Sequence, residues 1–81
     1  MNPRVVDVKP ENDYMLRLYF TNGEVRRFDM KPYLEFEVFR ALKDNTVFQT
    51  VTPYLDSVQW ANEADLCPDT LYLDSIPVTV L

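Results

Sequence analysis

The stretch YMLRLYFTNGEVRRFDM, residues 14–30, decides the fold, because it predicts two strands joined by a tight turn. Every second residue of its first half is apolar: Tyr14, Leu16, Leu18 and Phe20. This alternation is typical of a strand with one buried face. Asn22-Gly23 follows, and this dipeptide between two such runs indicates a β-hairpin. Residues 24–30 therefore form the predicted return strand.

The length of the turn follows from the face that each side chain must occupy. A two-residue turn would send Phe28 to the face of Arg17, whereas a three-residue turn over residues 21–23 pairs Leu16 with Phe28. A slip of one residue moves every side chain to the other face of a strand. We therefore predict the longer turn, with Gly23, the only glycine, in the left-handed conformation. The outward face of the hairpin then carries Arg17, Tyr19, Val25 and Arg27.

Further short elements are predicted on both sides of the hairpin. The β-branched residues near Val5 predict an N-terminal strand that ends at the Pro10 region. Asp29 is a candidate N-cap for a turn around Pro32. A short helix is expected over residues 37–43. Its predicted core stripe has helical spacing, with Val38 beside it: Phe36, Phe39 and Leu42.

The second half of the chain predicts an equally small set of elements. Residues 47–52 and 57–60 are expected to be strands, and Pro68 begins a second short helix. The uncharged stretch 76–81 is either a last strand or a segment that pairs with another chain. The expected fold class is α+β, with a small, mainly antiparallel sheet and two short helices. In that sheet the N-terminal strand and the hairpin are joined by two further short strands, in a single domain over residues 1–81.

Composition limits the environment and the partners of this domain. The chain has 81 residues, 47% of them hydrophobic, and a net charge of −5. Free nucleic acid and anionic membranes are therefore poor expected partners. Without a membrane-spanning run or a secretory signal, and with a single cysteine, the chain is expected in the cytoplasm. The last six acidic residues have no basic residue among them, which predicts a solvated acidic surface or a docking face for a basic protein: Asp44, Asp56, Glu63, Asp65, Asp69 and Asp74.

Residues that could carry chemistry are scarce. The chain has no histidine and one cysteine, Cys67, which we expect to be a small half-buried core residue. Asp65 or Asp69 is expected to cap the helix at Pro68, rather than both holding a metal ion with Glu63. A single glycine excludes a glycine-rich phosphate loop. We therefore expect no enzymatic activity, no cofactor and no metal site.

A small core without a disulfide or metal predicts a protein-protein interaction or regulatory module, covered by another chain or by a second copy. Nucleic acid is expected only through a partner. The alternative is a small-ligand sensor with a pocket between the sheet and the C-terminal helix, lined by Phe28, Trp60 and Tyr72 unless these are simply core. The candidate partner or ligand residues are Trp60, Asp65, Asp69, Tyr72, Arg17, Tyr19 and Arg27.

The chain resembles the domain-of-unknown-function 2442 family. The resemblance lies in residues 5–10, 14–24, 27–30, 39–44 and 48, and above all in 58–60 followed by 65–72. It implies a small bacterial or phage-type α+β domain with a mainly antiparallel sheet. Such domains occur alone or ahead of a helix-turn-helix domain, and their gene neighbourhoods suggest toxin–antitoxin-like pairs, here with this chain as the acidic member. The family supplies no catalytic residue to carry over, and the glycine usual after its tryptophan is absent from residues 61–64.

Overall fold

The structure is a computed structural model that describes residues 2–78. Its strands are β1 (Val5–Glu11), β2 (Met15–Phe20), β3 (Val25–Asp29), β4 (Thr52–Tyr54), β5 (Ser57–Gln59) and β6 (Ile76–Pro77). Two short α-helices, α1 (Asn45–Phe48) and α2 (Pro68–Leu73), accompany three 3₁₀ segments: Asn12–Tyr14, Lys31–Tyr33 and Glu37–Lys43. Within residues 2–78, no helix is long and apolar enough to cross a membrane.

The main sheet has four antiparallel strands in the order β1-β2-β3-β6, while β4 and β5 form a separate two-stranded sheet. The predicted α+β class with a mainly antiparallel sheet is thus confirmed. The three-residue turn is confirmed as well, because Leu16 lies opposite Phe28. The Phe20 N–H donates to Glu24 O at 3.0 Å, and Gly23 has a φ of 86°.

One face of this sheet forms the core. The buried side chains of β2 are Leu16, Leu18 and Phe20. They belong to one cluster with buried residues of the helical segments, including Phe39, Leu42, Phe48 and Leu71. Trp60, after β5, completes the cluster and donates its indole N–H to Phe48 O at 3.0 Å. The hairpin alternation therefore decides which face the rest of the chain covers.

The segment after Asp44 differs from the prediction. Residues 47–52 were expected to be a strand, but Asn45–Phe48 is α-helical and β4 begins only at Thr52. The Asp44 carboxylate accepts the Thr46 N–H at 2.9 Å and so caps this helix. The helical turn places Phe48 in the core beside Trp60, with ring centroids 6.1 Å apart. Burial of this aromatic side chain outweighs the local strand propensity of the segment.

The predicted helix over residues 37–43 has the expected bounds but is a 3₁₀ helix. Its stripe is only partly buried, since Phe39 and Leu42 lie in the core whereas Phe36 and Val38 are 56% and 60% exposed. Phe36 is the N-cap with an extended backbone, so it lies outside the helical repeat. Val38 is one residue from Phe39, about a third of a turn away at 3.0 residues per turn. Phe36 is therefore exposed because it precedes the helix, and Val38 because it points away from the side of the helix that carries Phe39 and Leu42.

The tail begins as the last strand, one of the two predicted alternatives. Ile76 and Pro77 pair with Arg27 and Arg26 of β3, and Val78 N donates to Val25 O at 2.9 Å. Residues 79–81 of the predicted tail lie outside the described residues. The bond at Val78 makes Arg26–Pro77 a non-hydrogen-bonded pair, so the backbone of Pro77 faces the outer edge of the sheet. Because proline has no N–H, this edge is a poor template for a further strand.

A cluster of polar contacts joins α2 and the start of β6 to β3, and we call it the polar lock: Glu24, Arg26, Tyr72 and Ser75. Arg26 is its centre. The Arg26 side chain is only 12% exposed. Its Nε donates to Ser75 Oγ at 2.6 Å, its Nη2 to Ser75 O at 2.8 Å and its Nη1 to Glu24 Oε1 at 3.1 Å. The guanidinium also lies 4.5 Å from the ring centroid of Tyr72, whose hydroxyl donates to Glu24 Oε2 at 2.6 Å. One arginine therefore contacts the hairpin turn, α2 and the residue that precedes β6.

We predict that Gly23→Val lowers the free energy of unfolding by about 1–2 kcal/mol, because a β-branched residue is strained at positive φ. Space is not limiting, since a Cβ at Gly23 would meet nothing within 4 Å. Gly23→Asn is the matched control and should cost less, because asparagine adopts this conformation more readily. Urea denaturation compares the variants. Equal stability of Gly23→Val and wild type would contradict the turn assignment.

We predict that Arg26→Ala lowers the free energy of unfolding by about 2–3 kcal/mol, since it removes charge-assisted hydrogen bonds from a nearly buried site. The neighbouring Arg27→Ala should cost less than about 1 kcal/mol, because its side chain is 45% exposed in an ion pair. Thermal or urea unfolding of the two variants gives the comparison. Similar losses for both would show that Arg26 does not hold α2 and β6 in place.

Candidate functional site

The second face of the main sheet is open, and it carries charged and apolar side chains in rows. We call it the open face and define it by the outward residues of the four strands: Asp7, Lys9, Glu11, Met15, Arg17, Tyr19, Val25, Arg27, Asp29, Ile76 and Val78. All of these are half-buried or exposed. The predicted outward placement of Arg17, Tyr19, Val25 and Arg27 on one face is confirmed.

Three cations lie side by side across this face, and we call them the cationic row. Lys9 on β1 is opposite Arg17 on β2, which is opposite Arg27 on β3. Glu11 bridges the two arginines, since Arg17 Nε and Arg27 Nε each donate to one of its carboxylate oxygens at 3.0 Å. One carboxylate thus orients two guanidinium groups. Such ion pairs place side chains more than they stabilise the fold.

The electrostatics of this bridge keep Glu11 ionised. The hydrogen bond from Arg17 lowers the pKa of the Glu11 carboxyl, and the bond from Arg27 acts in the same direction against the effect of burial. The same contact raises the pKa of Arg17. A carboxylate with a lowered pKa is a weak proton donor near neutral pH. The bridge is therefore suited to positioning charge rather than to acid catalysis.

The cationic row lies next to apolar surface. Tyr19 and Val25 form the adjacent row across β2 and β3, with Val78 bonded to the outer side of Val25. Lys9 Nζ is 5.8 Å from the ring centroid of Tyr19. Ile76 continues the cationic row beyond Arg27 and is 70% exposed. Apolar side chains bordered by charged ones are typical of surfaces that contact proteins.

The structure separates the other predicted site residues from this face. Trp60, a predicted partner or ligand residue, is 2% exposed and lies in the core. Phe28, expected in the pocket wall, is buried as well at 1% exposure. Tyr72 is half-buried in the lock with Glu24, and the hydrogen bond that it donates there raises its pKa. Two of the three residues predicted to line a sensor pocket are therefore core side chains.

The structure also differs from the predictions for the cap of α2 and for the burial of Cys67. The N-cap of α2 is Cys67, and no side chain caps this helix. Asp69 instead accepts a hydrogen bond from Asn2 at 3.1 Å, and Asp65 is exposed with its backbone in a bridge to Gln59. Cys67 is exposed because the cap position lies at the surface end of α2. Among residues 2–78, no group of three His, Cys, Asp or Glu side chains is placed to hold a metal ion.

Most acidic residues of the second half have local partners. Asp44 caps α1, Asp74 accepts from the Tyr33 hydroxyl at 2.9 Å, and Asp56 forms an ion pair with Arg4 at 3.6 Å. Asp69 is bonded to Asn2. These four carboxylates therefore already have hydrogen-bond or ion-pair partners within the chain. A shallow cavity of about 500 Å³ near the hairpin turn is lined by Asn2, Pro3, Arg4, Thr21 and Asn22 and does not include them.

Sequence reasoning missed the side chains that β1 and β6 bring to the open face, among them Lys9, Glu11 and Ile76. The pairing of Lys9 and Glu11 with β2 depends on the connection Asn12–Tyr14, where Asp13 and Tyr14 have positive φ, and a register shift follows between Val5 and Asp7. Neither irregularity has a glycine to mark it. The alternation of Lys9 and Glu11 with Val8 and Pro10 was the available signal for their outward placement.

We predict that the Glu11 carboxyl titrates below its ordinary value of 4.5 and that Arg17→Gln moves the midpoint back toward 4.5. Because the pKa is lower in the folded state, the ion pairs stabilise the fold above the unfolded pKa, and this stabilisation is lost as pH falls through the folded pKa. NMR titration of the side-chain carboxyl measures the midpoint. Arg40→Gln, remote from Glu11, is the control and should leave it unchanged. An equal midpoint in wild type and Arg17→Gln would contradict the bridge.

Comparison with known proteins agrees with the fold. A family model described as "Protein of unknown function (DUF2442)" matches residues 5–77. The matched region runs from β1 to β6 and therefore includes the lock and the open face except for Val78. No curated protein and no solved structure matches the chain. The chain belongs to the DUF2442 family.

Proposed function

We propose that this protein is a non-enzymatic protein-interaction module and that its partner protein docks on the open face. The observation that carries the proposal is the open face itself, where the exposed Ile76 and the half-buried Tyr19 and Val25 border the cationic row. A sheet face solvated in the usual way carries polar side chains. Aliphatic and aromatic side chains in the same rows as fixed cations instead support contact with another chain.

The groups on the open face support binding better than chemistry. The charges of Glu11, Arg17 and Arg27 are committed to one another at 3.0 Å. The bridge keeps the Glu11 pKa low, whereas a general acid or base works best with a pKa near the operating pH. Side chains held in this way lose less conformational freedom when a partner binds. The arrangement therefore favours recognition.

The face of the sheet is a better docking route than its β6 edge. Within the described residues, Pro77 gives that edge no outward N–H, and strand addition would require one. The acidic second half is also less suited, because Asp44, Asp56 and Asp74 already have partners within the chain. In the regulatory form of this proposal, the protein is the acidic member of a small toxin–antitoxin-like pair in a bacterial cytoplasm. Its partner then contacts the open face.

We predict that Ile76→Asp abolishes partner binding, since a charge at this exposed position breaks an apolar contact without disturbing the core. Leu73→Asp is the matched control, because Leu73 is similarly exposed at 66% but lies on α2. The tagged protein and both variants are purified gently from the native host and weighed by native mass spectrometry. Wild type and Leu73→Asp should carry a second chain at fixed stoichiometry, and Ile76→Asp should not. Retention of that chain by Ile76→Asp, or a wild type without a second chain, would contradict the proposal.

A further inference from the structure

We propose that the partner segment on the open face is acidic and that its carboxylates bind the terminal NH₂ groups of Arg17 and Arg27. This inference rests on the proposed function and names the chemistry of the partner. It starts from how the two guanidinium groups are used. Each is bonded to Glu11 through Nε alone. No acceptor within residues 2–78 meets the Nη1 or Nη2 atoms of either arginine.

The geometry leaves one defined edge of each guanidinium for a ligand. A guanidinium binds a carboxylate in a bidentate manner, either through Nε and one terminal nitrogen or through both terminal nitrogens. Glu11 occupies the Nε position of both groups, so the pair of terminal nitrogens remains on each. Arg17 and Arg27 are directly opposite on neighbouring strands and bond to the same carboxylate, so the two guanidinium groups are neighbours on the open face. The site is therefore preorganised for two carboxylates on one segment.

The charge balance of the row favours an anion. Arg17 and Arg27 share the single carboxylate of Glu11, and Lys9 lies beside Arg17 in the same row. Two further acids border the row on the same face: Asp7 accepts from the Val8 N–H at 2.8 Å and keeps its charge, and Asp29 forms an ion pair with Lys31 at 3.0 Å. The row itself, with three cations and one carboxylate, keeps a surplus of positive charge on a chain whose net charge is −5. Carboxylates complement this surplus.

A peptide fits the surroundings of the row better than a nucleic acid does. Single-stranded nucleic acids use several aromatic side chains as stacking platforms. Within the described part of the open face Tyr19 is the one aromatic side chain, and its neighbours are Val25, Val78 and Ile76. These aliphatic groups suit apolar side chains next to the acidic ones. A nucleic acid would also bring a higher density of negative charge to a chain of net charge −5.

The test uses an octaglutamate peptide as the acidic probe and an oligothymidylate of eight nucleotides as the rival. Both are titrated into the full chain in low salt, about 50 mM, where exposed charges are weakly screened. NMR follows the side-chain Nε–H signals of Arg17 and Arg27. We expect octaglutamate to shift both signals and to bind more tightly than the oligothymidylate. Arg17→Gln/Arg27→Gln should weaken peptide binding about tenfold, as the loss of two exposed charge contacts implies.

Arg40→Gln is the matched control, because Arg40 donates to the backbone oxygen of Glu35 on another part of the surface and should change affinity less than about twofold. Urea midpoints confirm that the variants are folded. Any one of three results would overturn the proposal that the partner segment is acidic. These are no binding of octaglutamate, equal binding by the double variant, and tighter binding of the oligothymidylate. The proposed function is judged separately. A native partner lost from Ile76→Asp but kept by Arg17→Gln/Arg27→Gln would support the interaction module and refute only the acidic chemistry of the partner.

Discussion

The register of the β2–β3 hairpin is the constraint on which the rest of this structure depends. Gly23, at a φ of 86°, closes a three-residue turn and so places Leu16 opposite Phe28. Alternate residues face opposite sides, so the same register that buries these two side chains puts Arg17 opposite Arg27 on the outside. The core and the proposed docking surface are two consequences of one pairing.

The polar lock is the second constraint, and it holds β6 against this hairpin. Arg26 lies between Arg27 and Val25, yet it serves the core side by bonding Ser75 and stacking on Tyr72. A small domain buries little apolar area. A nearly buried arginine with all three nitrogens hydrogen-bonded therefore contributes substantially to holding its strands and helix in place. Because the lock holds β6 beside β3, it also presents Ile76 on the open face.

The sequence predicted what depends on local alternation and missed what depends on distant contacts. Leu18 and Tyr19 could be assigned to opposite faces from period two and a single glycine. The helix at Asn45–Phe48 could not be predicted from the sequence. The segment has a strand-like composition, and burial of Phe48 against Trp60 favours the helix instead. Arg26 and Ser75 are 49 residues apart, and no periodicity links them. For Trp60 the sequence left both a ligand or partner role and a place in the core open, because composition does not distinguish a core aromatic from an exposed one.

The most direct test of the account asks which face of the sheet touches another protein in the cell. Tyr19 and Tyr54 are both accessible tyrosines, the first half-buried on the open face and the second 46% exposed on β4. Each can be replaced in turn by the photo-crosslinking residue p-benzoylphenylalanine and irradiated in the native host. The account predicts a discrete cross-linked protein from position 19 and none from position 54. Cross-linking from position 54 alone would contradict the open face as the docking surface.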